Sequence, residues 1–349
     1  MFKDKIETAQ FNYDLPESLI AHAPTASRSD SKLMCLSQKS PEIQHDTFTN
    51  LRTHLRPGDV LILNNTQVIH AKLYAKRNSG AKIELLLLEK QKKNTWTALI
   101  KNSKKLHPGE ILNIATDFNC KLIQKNAETG ICHVELHTHQ AWFDALQEHG
   151  EIPLPPYIHT ELTKSDQEER YQTIVAKKPG SVAAPTAGLH FTKELLDQLK
   201  KDGIQIETVT LHVGYGTFKP IQTEYIQEHV MHEESYYISP KTAERLTLAH
   251  QKKQRFIAVG TTSARTLESA IQNHAFKKGA GKTKLFIYPG YEFKAIQGLI
   301  TNFHLPQSSL LCLVSALIGG AARLQEAYRV AIQKQYRFYS FGDAMIILP

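Results

Sequence analysis

Between Val68 and Thr138 the chain runs strand after strand, and this stretch most constrains the fold. The segments 68–75, 82–89, 95–101, 110–115, 120–124 and 131–137 are apolar or alternate with polar residues, and Gly, Asn, Lys and Pro separate them. Short strands at such spacing close into a small, mostly antiparallel barrel or sandwich. Residues 139–150 follow with a helical pattern that stops at Gly150, and the prolines of "PLPPYI" (153–158) make a rigid extended connector.

Outside this run the pattern alternates between strand and helix. Thr192 caps a helix that stops at Gly203, and residues 204–213 resume as a strand. A strand over 255–260 leads into a helix over 261–275, 283–290 reads as a strand, 308–322 and 323–336 as helices, and 336–348 as a last strand. The predicted fold class is a mixed α/β (α+β) main domain, residues 1–67 plus 151–349, with a small antiparallel β-barrel domain, residues 68–150, inserted in it.

The chain has 349 residues, enough for two domains, and 41% hydrophobic content argues against disorder. Its N-terminus carries acidic residues and lacks the apolar core of a signal peptide; the longest apolar run, 309–322, is too short to span a bilayer. Four scattered cysteines (35, 120, 132, 312) form no CxxC pair and fit a reducing cytoplasm. The net charge of +8 is concentrated in basic clumps at 90–93, 101–105, 177–178, 252–255 and 277–284. Such loops could line a polyanion, though charge runs more often are solvated surface, so charge permits a nucleic-acid partner without establishing one.

Three histidines share one setting: His190 in "PTAGLHF", His212 in "TLHVGYGTF" and His304 in "TNFHLP". Each sits among apolar residues beside turn formers, where partial desolvation keeps an imidazole neutral near pH 7 and able to take or pass on a proton. A satisfied core histidine is the plain alternative for each one alone. In "AVGTTSARTLES" (258–269) a strand ends at Gly260 and a helix begins, which offers free N–H groups and a helix dipole to a carboxylate, phosphate or ribose hydroxyl. Thr261 to Ser263 can equally be plain capping residues.

"HVMHEESY" places His229 and His232 beside Glu233 and Glu234, a pattern compatible with zinc but not in the HExxH order. "GAGKTK" (279–284) is no phosphate loop, because Phe276 stands where the first glycine belongs and a strand, not a helix, follows. "YRFYSFGDAMIIL" (336–348) offers rings and an arginine for stacking on a base, or a core strand.

Taken together, several stretches resemble the S-adenosylmethionine:tRNA ribosyltransferase-isomerase family of queuosine biosynthesis. They include "FNYDLPESLIA", "RPGDVLILNNT", "KIELLLL", "RYQTIVA", "GSVAAPTAGLHFT", "TLHVGYGTF", "HVMHEE", "AVGTTSARTLES", "LFIYPGYEF", "LITNFHLPQSSLL" and "YRFYSFGDAMII", running from residue 11 to 347 in the family's order. The chain departs from the family pattern at Gln67 and His70, where Arg and Pro are expected, and at Asp30 and Lys32, where the family's spacing usually gives arginines.

The resemblance implies a two-domain enzyme that moves the ribosyl part of S-adenosylmethionine onto 7-aminomethyl-7-deazaguanine at the tRNA wobble position. Epoxyqueuosine forms, and adenine and methionine leave. S-adenosylmethionine is consumed as a substrate, so no other cofactor and no metal is expected. The expected partners are S-adenosylmethionine and that tRNA; a cytoplasmic monomer away from membranes is expected. The sulfonium acidifies the C5′ protons, adenine departs more easily if its ring is protonated, and the amine must lose a proton to attack. Neutral imidazoles suit these transfers in a water-poor site, so His190, His212 and His304 are the expected catalytic residues. The expected substrate-binding residues are Thr186, Gly188, Gly214, Thr217, Thr261, Thr262, Arg265, Arg170, Tyr171, Asn302 and Asp343. A zinc-dependent hydrolase and a non-catalytic RNA-binding protein are the rival readings.

Overall fold

The structure, a computed structural model, describes residues 5–158 and 162–349. Strands β1 (Lys32–Ser37), β2 (Ile43–Thr47) and β3 (Val60–Asn64) open the chain, and β4 (Thr66–Val68) is a short offshoot. Six strands follow: β5 (Lys72–Lys76), β6 (Lys82–Lys90), β7 (Thr95–Ile100), β8 (Ile111–Ala115), β9 (Phe118–Lys125) and β10 (Ile131–His137). Helices α1 (Trp142–His149) and α2 (Lys164–Arg170) then lead to β11 (Lys178–Ser181), α3 (Lys193–Lys201), β12 (Gln205–Leu211) and β13 (Glu234–Ile238). The remainder comprises α4 (Pro240–Gln251), β14 (Phe256–Val259), α5 (Thr261–Ala270), the tiny hairpin β15 (Ile271–Gln272) and β16 (Ala275–Phe276), and β17 (Gly279–Thr283). It ends with β18 (Gly298–Asn302), α6 (Ser309–Ile318), α7 (Ala321–Gln333) and β19 (Ala344–Leu348).

Nine strands form one mixed sheet in the order β17-β13-β12-β3-β14-β18-β19-β1-β2. Its centre, β12-β3-β14-β18, is parallel, and antiparallel strands flank it. β3, β14 and β18 are buried at every position because both faces are covered, which is why "VLILN" and "FIAV" read as unbroken apolar runs. Along β3 the pleat sends Val60 and Ile62 into the core shared with α4, α5 and α6. Leu61 and Leu63 enter the opposite core, against α3 and Phe48.

β5 to β10 close on themselves in the order β10-β7-β6-β5-β8-β9, and the neighbouring pairs are antiparallel. Alternate residues of β7 (Trp96, Ala98, Ile100) and of β10 (Cys132, Val134, Leu136) fill the interior, and closure leaves no strand edge open. The expected mixed α/β fold with an antiparallel barrel is therefore present.

Some expected elements differ. The helix expected to 275 stops at Ala270, because Asn273 and His274 adopt φ of 49° and 62° and turn the β15–β16 hairpin. The strand expected over 283–290 ends at Thr283. Just beyond it the Leu285 N–H donates to Thr283 Oγ1 (3.0 Å) and the Leu285 carbonyl accepts from Arg265 Nε (3.0 Å), so side chains take the groups a continuing ladder would use. "GAGKTK" falls largely in β17, paired with β13, not in a phosphate-binding turn. Gly319 and Gly320, at φ 97° and 120°, break the apolar run into α6 and α7. Only 344–348 of the last segment is strand. Among the described residues no single helix is long and apolar enough to cross a membrane.

Trp96 is the largest fully buried side chain, and its indole N–H has no hydrogen-bond partner among the described residues. Trp96→Ala is expected to cost about 3–5 kcal/mol in thermal or denaturant unfolding. Trp96→Phe should cost much less, because it removes only part of the volume and an unsatisfied donor.

Candidate active site

The parallel centre of the sheet delivers its polar residues to one end. β3 ends in Asn64, β12 runs on into His212, β14 runs through Gly260 into Thr261, and β18 ends in Asn302 before His304. In parallel α/β sheets this carboxyl edge is where ligands bind. Asn64 knits the edge together: its amide nitrogen donates to Leu211 O (2.9 Å) and Thr262 Oγ1 (3.2 Å), and its oxygen accepts from the N–H groups of Thr66 and Leu211 (both 3.1 Å).

Two cavities open at this end. One, of about 500 Å³, is a cleft between the barrel and the sheet, with Glu89, Lys90 and Trp142 facing His212, Gly214 and His232. The other, of about 540 Å³, is mostly apolar, walled by Tyr157, Tyr171, Phe303, His304 and Tyr339. Lys219 belongs to both walls, so the cavities adjoin.

The three expected histidines are not equivalent. Nδ1 of His212 bonds Thr66 Oγ1 (2.8 Å), and burial lowers its pKa below 6.5. Gly180, at φ 149°, passes so close that a Cβ there would lie 2.8 Å from the imidazole. His304 stands on the apolar cavity wall with Nε2 bonded to Thr301 Oγ1 (2.8 Å), and burial brings its pKa down to about 3. Its Nδ1 has no hydrogen-bond partner among the described residues. His190 is interior, at 4% exposure, and stacks on Phe48.

Both nitrogens of His190 are used. Asn302 Nδ2 donates to Tyr339 O (3.2 Å), which can only accept, so that same nitrogen also donates to His190 Nε2 (3.1 Å). Nδ1 then carries the proton and donates to Ser31 Oγ (2.9 Å). Burial, with Arg337 and Arg28 nearby, brings its pKa down to about 3. His190 therefore reaches the apolar cavity only through Asn302, which also accepts from Thr186 Oγ1 (3.0 Å) on that cavity's wall.

The other expected residues divide similarly. Arg265 is not exposed to a ligand: the residue is 3% exposed, its guanidinium is paired with Glu234, and Nε donates to Leu285 O (3.0 Å). Glu234 Oε1 in turn accepts from Gly214 N (3.0 Å) and Thr217 Oγ1 (2.7 Å), so Gly214 and Thr217 are loop anchors beside His212. Thr261 and Thr262 are buried under the sheet end and line neither cavity. Gly188 packs against Thr173, where a Cβ would come within 2.9 Å. Asp343 is buried and receives the N–H groups of Lys32 and Arg337 (both 2.8 Å), which holds the final turn. Tyr171 lines the apolar cavity, and Arg170 grips a loop outside it.

The zinc reading fails on geometry. His229 packs on Phe286, His232 on Gly216, Glu233 pairs with Lys282, and Glu234 with Arg265. Among the described residues no group of three or more His, Cys, Asp or Glu converges for a metal. His70, a family departure, faces Glu168 of α2 at 3.3 Å, and Gln67 sits in the short β4–β11 ladder.

Asn64, Thr66, Tyr157 and Lys219 are site residues that the sequence reading does not name, and Glu234 enters that reading only as a zinc candidate. The pair of asparagines ending the apolar β3 run was the available signal, since a buried amide at a strand end must find partners. Glu234→Ala is expected to cost about 3–5 kcal/mol in urea unfolding, because it strands the buried Arg265 charge. The double substitution Glu234→Leu with Arg265→Met should recover most of that stability while leaving the 214–217 turn unanchored and activity low.

A family model described as a queuosine biosynthesis protein matches residues 8–347. The S-adenosylmethionine:tRNA ribosyltransferase-isomerase of Desulforamulus reducens is 45% identical over 346 residues, 98% of this chain and 100% of that protein. That of Thermotoga petrophila is 44% identical over 344 residues, with the same coverage of 98% and 100%. The crystal structure of the S-adenosylmethionine tRNA ribosyltransferase of Thermotoga maritima has a TM-score of 0.56 to this fold at 36% identity, covering 97% of this chain and 100% of that one. Matched to this family model along nearly its whole length, and to relatives of the same type along all of theirs, the chain belongs to the queuosine biosynthesis protein family.

Proposed function

We propose that this protein transfers and isomerises the ribosyl group of S-adenosylmethionine onto 7-aminomethyl-7-deazaguanine at the tRNA wobble position, forming epoxyqueuosine and releasing adenine and methionine. Family membership and the names of its close relatives support the reaction. The observation that carries the site is the pair of adjoining cavities at the carboxyl edge of the sheet, each with a neutral imidazole on its wall.

The apolar cavity takes the adenosyl part. Its aromatic wall, in which the Tyr157 and Tyr339 rings lie 4.9 Å apart, suits a purine, and His304 Nδ1 faces the ligand as the free ring nitrogen. The cleft beside the barrel, the more polar of the two cavities, takes the modified base of the tRNA, and His212 Nε2 is the nitrogen positioned to move protons there, since Thr66 holds Nδ1. Burial withholds water and keeps both rings uncharged near a sulfonium cation, which would repel an imidazolium. His190 acts at one remove, by orienting Asn302 on the cavity wall. The four free, buried cysteines fit a reducing cytoplasm, and the enzyme works there as a monomer on its tRNA.

Incubation with S-adenosylmethionine and substrate tRNA should release free adenine. His212→Ala and His304→Ala are expected to lower that rate about 10²–10⁴-fold. His190→Gln should lose less and show its effect mainly through KM. Near-wild-type turnover of both Ala variants would remove the assignment.

The pH dependence has a definite sign. Burial lowers the imidazole pKa values below 6.5, so the neutral forms persist as the pH falls through that value. The acid limb of kcat/KM for adenine release is expected below pH 6.5, the ordinary imidazole value. A limb centred at 6.5 or above would contradict neutral buried imidazoles at the site.

A further inference from the structure

Three arginines gather outside the two cavities, where the loop 23–26, the end of α2 and the turn 339–342 meet. Arg170 donates to Thr25 O (2.5 Å) and Ala26 O (3.0 Å). Arg28 donates to Glu169 O (2.8 Å) and Leu189 O (3.4 Å), and Arg337 to Phe341 O (2.7 Å) and Ala23 O (3.3 Å). Every acceptor is a backbone carbonyl. Among the described residues none of the three makes an ion pair, whereas Arg52, Arg77, Arg245, Arg255, Arg265 and Arg329 each do.

Two carboxylates act on the cluster from nearby. Glu169 favours the Arg28 charge, and Asp343 interacts with Arg337 while both its oxygens hold backbone N–H groups. They do not cancel the local excess: burial, then the charge of Arg170, lowers the pKa of Arg28 from 12.5. Cations held together in this way are stabilised by an anion that bridges them. The carbonyls fix the guanidinium planes, so little side-chain freedom is lost when an oxyanion arrives. Each arginine spends two hydrogen bonds on carbonyls and keeps further N–H donors, whose planar fork matches phosphate oxygens. Arg28 and Arg170 border a shallow notch with Thr25 and Ser340, and its free volume of about 20 Å³ suits the oxygens of one anionic group rather than a nucleoside.

We propose that Arg28 and Arg170, with the charge of Arg337 behind them, form a binding site for a phosphate of the tRNA backbone. The proposal rests on the reading of tRNA as substrate. The notch also borders His190, whose other side reaches the apolar cavity through Asn302, so a phosphate seated here lies one side chain away from the wall of that cavity. A backbone contact at this place fixes the register of the RNA on the protein without reading its sequence.

The test measures tRNA affinity across a salt series for the wild type, Arg170→Gln, Arg170→Lys and Arg28→Gln, with S-adenosylmethionine affinity by equilibrium dialysis and thermal unfolding for each. Arg170→Gln and Arg28→Gln should each reduce the slope of log K against log salt by about one, and Arg170→Lys should keep it. Affinity for S-adenosylmethionine should be unchanged. An unaltered slope in both Gln variants, whatever their melting temperatures, would overturn the proposal and leave the arginines as loop clamps. Loss of S-adenosylmethionine affinity with the slope intact would assign the site to the methionine carboxylate and overturn it too. Adenine release by the wild type is scored separately. If it is absent while the Gln variants still lose slope, the phosphate site stands and the transferase reading falls.

Discussion

The hydrogen bonds of Asn64 are the constraint on which the site depends. At 2% exposure its amide has no water to turn to, so it must satisfy itself from the protein, and it does so on β12, at the start of β4 and on the first turn of α5. That requirement registers the ends of neighbouring strands against the helix that follows β14. His212 lies one residue past Leu211, which Asn64 grips from both N–H and C=O, so the imidazole's place is set by the strand ends.

A second layer of polar contacts performs the same service for the loops. Glu234, buried and paired with Arg265, holds Gly214 and Thr217; Asp343 holds the turn before β19; and Asn302 links Thr186 to His190. Buried groups of this kind are costly when left unpaired and stabilising when complete, so each fixes one geometry. Glycine permits the close approaches. At Gly180 the backbone crosses the His212 ring, and at Gly216 it meets the ring of His232, where any Cβ would collide. The site is thus a rim of short, satisfied loops around a rigid sheet edge, with the barrel supplying the opposite wall.

A sulfonium substrate in the apolar cavity accounts for an imidazole, with no carboxylate, among the described residues of that cavity's wall. A buried carboxylate would cost heavily to desolvate and would form a stable ion pair with the cation, which holds the ground state. A neutral ring can exchange a proton without that trap. The arginine cluster lies apart, at the surface, where positive charge attracts RNA and does not oppose a cationic substrate.

Much of this was legible from the chain alone, because it rests on local chemistry. Period-two alternation marked the barrel strands, unbroken apolar runs marked the parallel strands, and the turn-flanked histidines marked where the site's loops would be. Failures had two causes: side chains of Arg265 and Thr283 took the backbone groups of Leu285 that a longer β17 would have used, and the left-handed asparagine–histidine turn at 273–274 cut α5 short. The division of labour among like-looking residues belonged to the tertiary structure. His190, His212 and His304 share one sequence setting, yet Asn302 and Ser31 consume both nitrogens of the first, while the other two reach cavities. Likewise Arg265 found Glu234, 31 residues away, and became a buried anchor, whereas Arg170 found only carbonyls and stayed uncompensated. A side chain's type is written in the sequence; whether it is spent inside the protein or left for a ligand is decided by the partners that folding brings to it.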